Sequence, residues 1–249
     1  MTRLIQMLRQ LLGGLWLLLT LTVAMGLSGW GLAQSNFLYS AWYEPAKVAQ
    51  TVATHAPQNP FKKGFEQTSA ATQQRLIADL VNALQAQGQG LAQLHYTTSE
   101  TTTTLLRPGE VAQLTQLSQT IEVATKFWWW ALSGWGLLTL LLLWQRWLPA
   151  PTQAWWLIGS VGVISLLTHL FWGMIPALKT LFDALLPNWP PSLLHYDHSL
   201  LMTLLATPDL FVWTALVWLT GTLGGLALLA HSLRSLEAQL VDKHPPYMV

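Results

Sequence analysis

The sequence contains no cysteine, which excludes disulfide staples, thiolate nucleophiles and cysteine-bound metals. Charge is almost as scarce: charged residues make up 9% of the chain, against roughly 25% in an ordinary soluble domain. The formal net charge of +1 offers no basic surface of the kind nucleic acids require, so no nucleic-acid partner is expected. Common enzyme signatures are missing too. There is no Gly-Lys-Ser/Thr phosphate loop, no Gly-x-Ser-x-Gly elbow and no His-Glu-x-x-His zinc helix. Neither a resident metal nor a cofactor is expected.

What the chain has instead is apolar length. Four stretches, 11–33, 127–148, 154–175 and 210–230, are rich in Leu, Trp, Val and Ala. Each is about 20 residues, the length a helix needs to cross a hydrocarbon core of ~30 Å. Within lipid a segment must satisfy its own backbone amides, so all four are expected to be helices. The expected fold is an all-α membrane protein. It has four transmembrane helices, with an outward-facing helical loop domain between the first and second. The expected divisions are 1–34, 35–126, 127–148, 154–175, a second outer loop at 176–209, 210–230, and a tail at 231–249. The basic start and the small residues at Gly31 and Ala33 also suit a signal peptide. The long apolar run favours a retained helix.

Tryptophan and basic residues suggest how these helices sit. Trp128, Trp129 and Trp130 open the second stretch, and Trp144 and Trp147 close it. Their separation of about 16 residues, or ~24 Å of helix rise, suits two interfacial belts. Trp155 and Trp156 open the third stretch. Arg3, Arg9, Arg146, Arg234 and Lys243 lie near span ends on one side, which places both termini in the cytoplasm. Lys126 and Lys179 flank spans on the other side.

The loop after the first stretch is too long for a connector. Tyr39, Trp42 and Tyr43 are expected at the membrane interface. In 69–87, Leu76, Ile77, Leu80, Val81 and Leu84 share one helical face, with Arg75, Asp79, Asn82 and Gln85 elsewhere. That face must cover either the bilayer surface or other parts of the loop. Gly88 and Gly90 should end the helix. The threonine-rich run through Thr101–Thr104 suits an extended stretch or a linker. Pro108-Gly109-Glu110 then opens another helix that is able to run straight into the second span. In the second outer loop, Lys179 and Asp183 are four apart and able to pair. The residues around Leu200–Leu205 suit an amphipathic segment on the outer membrane surface.

Candidate chemistry is confined to a few polar residues. His195, Asp197 and His198 form the densest titratable group, suited to general-base work or metal binding, or simply to a solvated loop. His169 lies within the third stretch, where an ionisable residue is either functional or hydrogen-bonded to a neighbouring helix. Haem would need a second axial ligand at matching depth, and the other spans offer none. Glu110 and Asp183 taken singly read as surface or capping residues.

The arrangement resembles a bacterial membrane family, the lipoprotein intramolecular transacylases (Lit). Glu110-Val111-Ala112-Gln113-Leu114-Thr115-Gln116 is similar to that family's Glu-x-x-His-x-x-Asp motif before the second span. Phe182-Asp183-Ala184-Leu185-Leu186, followed by Trp189, Asp197 and Pro208-Asp209-Leu210-Phe211, is similar to its second motif. The two family histidines fall on Gln113 and Asp183, and the motif Asp on Gln116. Glutamine is no general base, so the resemblance carries the scaffold without the chemistry. It implies a protein of the bacterial cytoplasmic (inner) membrane that binds membrane lipid or lipoprotein at the outer leaflet through Trp189, His195 and Asp197. The alternative is an acyltransferase moving a lipoprotein acyl chain to the N-terminal amine. Asp183 or His198 would then replace the missing base, Glu110 would orient it, and Gln113 would stand in a former catalytic place.

Overall fold

A computed structural model describes residues 2–98, 101–145, 147–148, 159, 199–205 and 209–243. Along the chain lie α1 (Thr2–Gln34), α2 (Tyr39–Trp42), α3 (Val48–His55), α4 (Ala70–Gln85), β1 (His95–Thr97), β2 (Thr102–Thr104), α5 (Pro108–Gln145), α6 (Leu200–Leu204) and α7 (Asp209–Lys243). Two compact units share them. One comprises Met1–Trp30, Thr125–Leu170 and Val217–Val249; the other comprises Gly31–Ala124 and Phe171–Leu216.

In the first unit, helices form where the apolar runs are unbroken by proline. Arg3–Gln34 and Pro108–Gln145 are both long and apolar enough to cross a membrane. The first contains the expected stretch 11–33, and the second contains residues 127–145 of the expected stretch 127–148. The stretch 210–230 lies in α7, whose apolar part is Trp213–Leu229. The stretch 154–175, apart from Gly159, lies outside the described residues.

α1 and α5 are antiparallel and joined by a reciprocal pair of hydrogen bonds. Trp16 Nε1 donates to Thr139 Oγ1 at 2.8 Å, and Trp135 Nε1 donates to Thr20 Oγ1 at 2.9 Å. Each hydroxyl in turn donates to the carbonyl one helical turn back, Thr20 to Trp16 and Thr139 to Trp135, both at 2.7 Å. The same four-residue spacing on both helices makes the two halves of this lock alike. Every polar atom in it is thereby satisfied, although Trp16, Thr20 and Thr139 are buried. Further along, Trp128 Nε1 reaches the Val23 carbonyl at 3.3 Å, and its ring lies directly over Gly26. A Cβ at position 26 would stand 1.9 Å from that nitrogen.

α7 meets another part of α1, also antiparallel. Trp218 Nε1 donates to the Met25 carbonyl at 2.9 Å. Gly221 and Gly225 face Ser28 and Ala24, where a Cβ on Gly221 would lie 3.0 Å from Ser28 Oγ. Small residues four apart on both helices let the backbones approach closely, as in membrane helix pairs. Trp128 and Trp135 therefore join helices. Of the tryptophans expected in interfacial belts, Trp129, Trp130 and Trp144 are exposed.

The second unit has its own apolar core. α4 begins at Ser69, whose Oγ accepts from Thr72 N at 3.2 Å. Leu76, Ile77, Leu80 and Val81 are buried against Val48, Val52, Phe65, Leu91 and Tyr96. The amphipathic face thus covers the loop's own core. The helix closes with Gly88 N bonded to the Ala83 carbonyl at 2.8 Å, and the left-handed residue that turns the chain is Gln87, with φ 59°.

Three expectations are corrected here. The fold is not wholly α: His95–Thr97 and Thr102–Thr104 pair antiparallel, because consecutive β-branched threonines fit an extended ladder. Tyr39 and Tyr43 do not lie at a membrane interface but in the core. Their hydroxyls there donate to the Leu204 carbonyl at 2.8 Å and to Gln73 Oε1 at 2.7 Å. Likewise α6 does not lie on the bilayer surface. Leu200, Leu201 and Leu204 are buried in this same core, since a helix apolar all round needs protein on every side. Trp42 stacks on Trp213, with ring centroids 5.2 Å apart.

Replacing Gly26 by Ala is expected to cost about 1–3 kcal/mol by overpacking against the indole. Denaturant unfolding of the purified protein measures this. The pair Gly26→Ala, Trp128→Ala should cost less than the sum of its parts. A second expectation concerns alkali. Burial raises the phenol pKa values of Tyr39, Tyr43 and Tyr96 above the ordinary 10.0. Their folded-state values exceed their unfolded ones, so this contribution is complete below pH 10 and is lost as pH rises beyond it. Tyr39→Phe should reduce the alkaline loss while costing about 1 kcal/mol near neutrality, as a pH series of melting curves would reveal.

Candidate functional site

The described polar cluster with functional potential lies where α5 begins. Arg107 stands just before the helix, and Pro108, which has no N–H to leave unpaired, occupies its first position. Glu110 folds back so that its Oε2 accepts from Arg107 N at 2.7 Å. Its Oε1 faces Arg107 Nη2 at 3.5 Å. A carboxylate here also meets the positive end of the helix dipole. Glu110 is 3% exposed, so it is a buried cap and not a surface residue.

Two other segments bring cations and donors to this place. Asn59 follows a short turn at Ala56–Gln58. Its Oδ1 accepts from Phe61 N at 2.9 Å and Lys62 N at 3.1 Å, which folds the chain into a tight bend. The bend directs Lys62 at β2, where Nζ donates to the Thr104 carbonyl at 2.5 Å and to Thr104 Oγ1 at 2.9 Å. β2 leads through buried Leu105 and Leu106 into Arg107. The Arg107 guanidinium lies 5.2 Å from the centre of the Phe61 ring, a cation–π arrangement.

The electrostatics are unbalanced. Two cations, Lys62 and Arg107, face one carboxylate, Glu110. Lys62 is only 9% exposed. Burial pushes its pKa below the ordinary lysine value, Glu110 opposes that shift, and Arg107 adds to it. Asn59 Nδ2, Arg107 Nε and Glu110 Oε1 are buried without a hydrogen-bond partner. The cluster thus holds two spare donors against one spare acceptor, which itself faces the guanidinium, and an excess of positive charge, which suits an oxyanion better than a cation. No group of His, Asp and Glu able to hold a metal occurs among the described residues.

Of the residues singled out from sequence, Glu110 and Gln113 are described. Both lie in the first turns of α5, and Gln113 is half-buried one turn beyond Glu110. Asp183, Trp189, His195, Asp197 and His198 lie outside the described residues, as do His169 and Lys179. Sequence reasoning missed Asn59, Phe61, Lys62 and Arg107 as a group. Lys62 and Thr104 are 42 positions apart, and only the hairpin joins them. The readable signal was the Arg-Pro-Gly-Glu helix start, which places an arginine beside a capping carboxylate.

Comparison with protein-family models, with curated proteins and with solved structures finds no match for this chain.

The capping geometry leads to a graded expectation. Glu110→Gln keeps an acceptor for Arg107 N, whereas Glu110→Ala removes it and should cost about 1 kcal/mol. Hydrogen exchange at the start of α5 should quicken more in the alanine variant. In both variants the Lys62 pKa should fall further, because the carboxylate that raises it is gone. Amine-modification rates at Lys62 followed against pH by peptide mass spectrometry measure that shift.

Proposed function

We propose that this chain is a multi-pass membrane protein of the lipoprotein-transacylase-like scaffold. Its non-membrane unit binds a membrane lipid or a lipoprotein at the outer leaflet. The carrying observation is where the apolar surface lies. The apolar windows of α1 and α5 are only 28% and 22% buried. A core helix of a soluble protein hides its apolar residues, whereas Leu4, Leu11, Leu18, Leu137, Leu140 and Trp144 all face outward. Lipid is the solvent in which such surfaces are stable.

Chain passage supports four crossings. Residues of the first loop and Leu200–Leu204 share one core. A chain that leaves this unit along α5 through the bilayer must therefore cross back before Ser199. The apolar stretch 154–175 is the segment suited to that return. Both termini then lie on the opposite side, in the cytoplasm of a bacterial cell by the resemblance.

Binding is preferred to acyl transfer because Glu110, the motif carboxylate, is already committed to its helix cap, and Gln113 offers no base. Lipoprotein amino termini from cells with and without the protein, compared by mass spectrometry, test this directly. Unchanged acylation together with co-purified phospholipid or lipoprotein is the expected outcome. A new N-acyl group on the lipoprotein would favour the transacylase reading, with Asp183 or His198 as the base. Reporter fusions in the β1–β2 hairpin and at the C-terminus should report opposite sides of the membrane. The same side for both would overturn the four-crossing arrangement.

A further inference from the structure

We infer that Lys62, Arg107 and Asn59 form a binding subsite for a phosphate-type oxyanion. Three observations converge on it. Lys62 and Arg107 hold one more positive charge than Glu110 neutralises, in a place largely withdrawn from water. Asn59, only 1% exposed, keeps its Nδ2 without an acceptor, and Arg107 Nε is likewise buried and unpartnered; the one unpartnered acceptor beside them, Glu110 Oε1, is faced by Arg107 Nη2 at 3.5 Å. Buried donors left unpaired are costly, and few occur in folded proteins, so two in one cluster mark a place that an acceptor-rich group would complete. Lys62 Nζ has two of its three donor positions occupied by Thr104, which leaves one for a ligand.

The donors come from three separate residues and are not the single planar fork that selects a carboxylate. A tetrahedral oxyanion presents oxygens in several directions and can meet such a set. Beside the cations stands Phe61, 58% exposed with its ring against the guanidinium. An exposed apolar ring next to an anion subsite fits an amphiphile with a phosphate head. The phosphate chemistry is shared by a lipid headgroup and by free phosphate. Only the lipid source rests on the membrane function proposed above; the subsite itself does not.

The test uses the full chain purified in a non-ionic detergent and freed of phosphate. Inorganic phosphate and a short-chain phosphatidylglycerol are titrated separately, with a short-chain phosphatidylcholine as a zwitterionic comparison. Binding is followed by melting temperature and by 31P line broadening. The expected result is saturable broadening and a raised melting temperature with phosphatidylglycerol. Affinity should be at least tenfold weaker in Lys62→Met and in Arg107→Met, and mostly retained in Lys62→Arg. Near-ultraviolet circular dichroism confirms that each variant is folded. If a variant does not fold, competition between inorganic phosphate and phosphatidylglycerol for the wild-type protein decides instead. Saturation by both anions with mutual competition supports one subsite. Binding of inorganic phosphate alone supports the subsite but removes the lipid as its source, while binding of phosphatidylglycerol alone supports the lipid headgroup. Absence of saturable binding by either probe overturns the inference. So do unchanged affinity in the folded methionine variants and equal affinity for phosphatidylcholine.

Discussion

Indole N–H groups ending on another helix's oxygens hold the apolar unit together. An apolar helix in lipid gains little from hiding its side chains against another apolar helix, because the lipid is equally apolar. Close packing and hydrogen bonds are the means by which such helices select one arrangement, and both are present here. α1 receives both kinds of contact. Trp135 and Trp128 reach it from α5, and Trp218 reaches it from α7. Trp16 returns the contact to Thr139. Ala24, Gly26 and Ser28 supply the small surfaces on which the partner helices settle.

The second unit is built differently, around a buried apolar core. α4 lays its apolar face over α2 and β1, and α6 closes the core against α3 from a distant part of the sequence. The tyrosines that serve this core do so as amphipathic residues, with rings in the apolar interior and hydroxyls on oxygen acceptors. A left-handed turn at Asn36, Phe37 and Leu38 follows α1 directly. Three successive non-glycine residues there cost roughly 1–2 kcal/mol each, and Tyr39 and Tyr43 are buried just beyond them.

Local patterns were readable from sequence where one residue's neighbours in the chain are also its neighbours in space. The face of α4, the start at Pro108 and the continuous run into the second apolar stretch all have that character. The hairpin was half legible, since threonine implies extension but not its partner. The division of labour among tryptophans was not legible. Trp129 and Trp128 are adjacent and chemically identical, and only the glycine opposite one of them makes it an internal contact. The Gly221-x-x-x-Gly225 spacing was present in the chain, but no close helix pair was expected from it. The cation cluster was hidden because its members come from a bend, a strand end and a helix cap.

Position 26 illustrates what such contacts imply for the history of the chain. The indole of Trp128 fills the space in which any side chain at 26 would stand. A descendant that acquires even a methyl group there must lose or shrink the ring across from it, and one that shrinks the ring leaves a void the glycine cannot fill. The two sites are thus inherited together, and in diverging lineages they should be exchanged as a couple, never one by one.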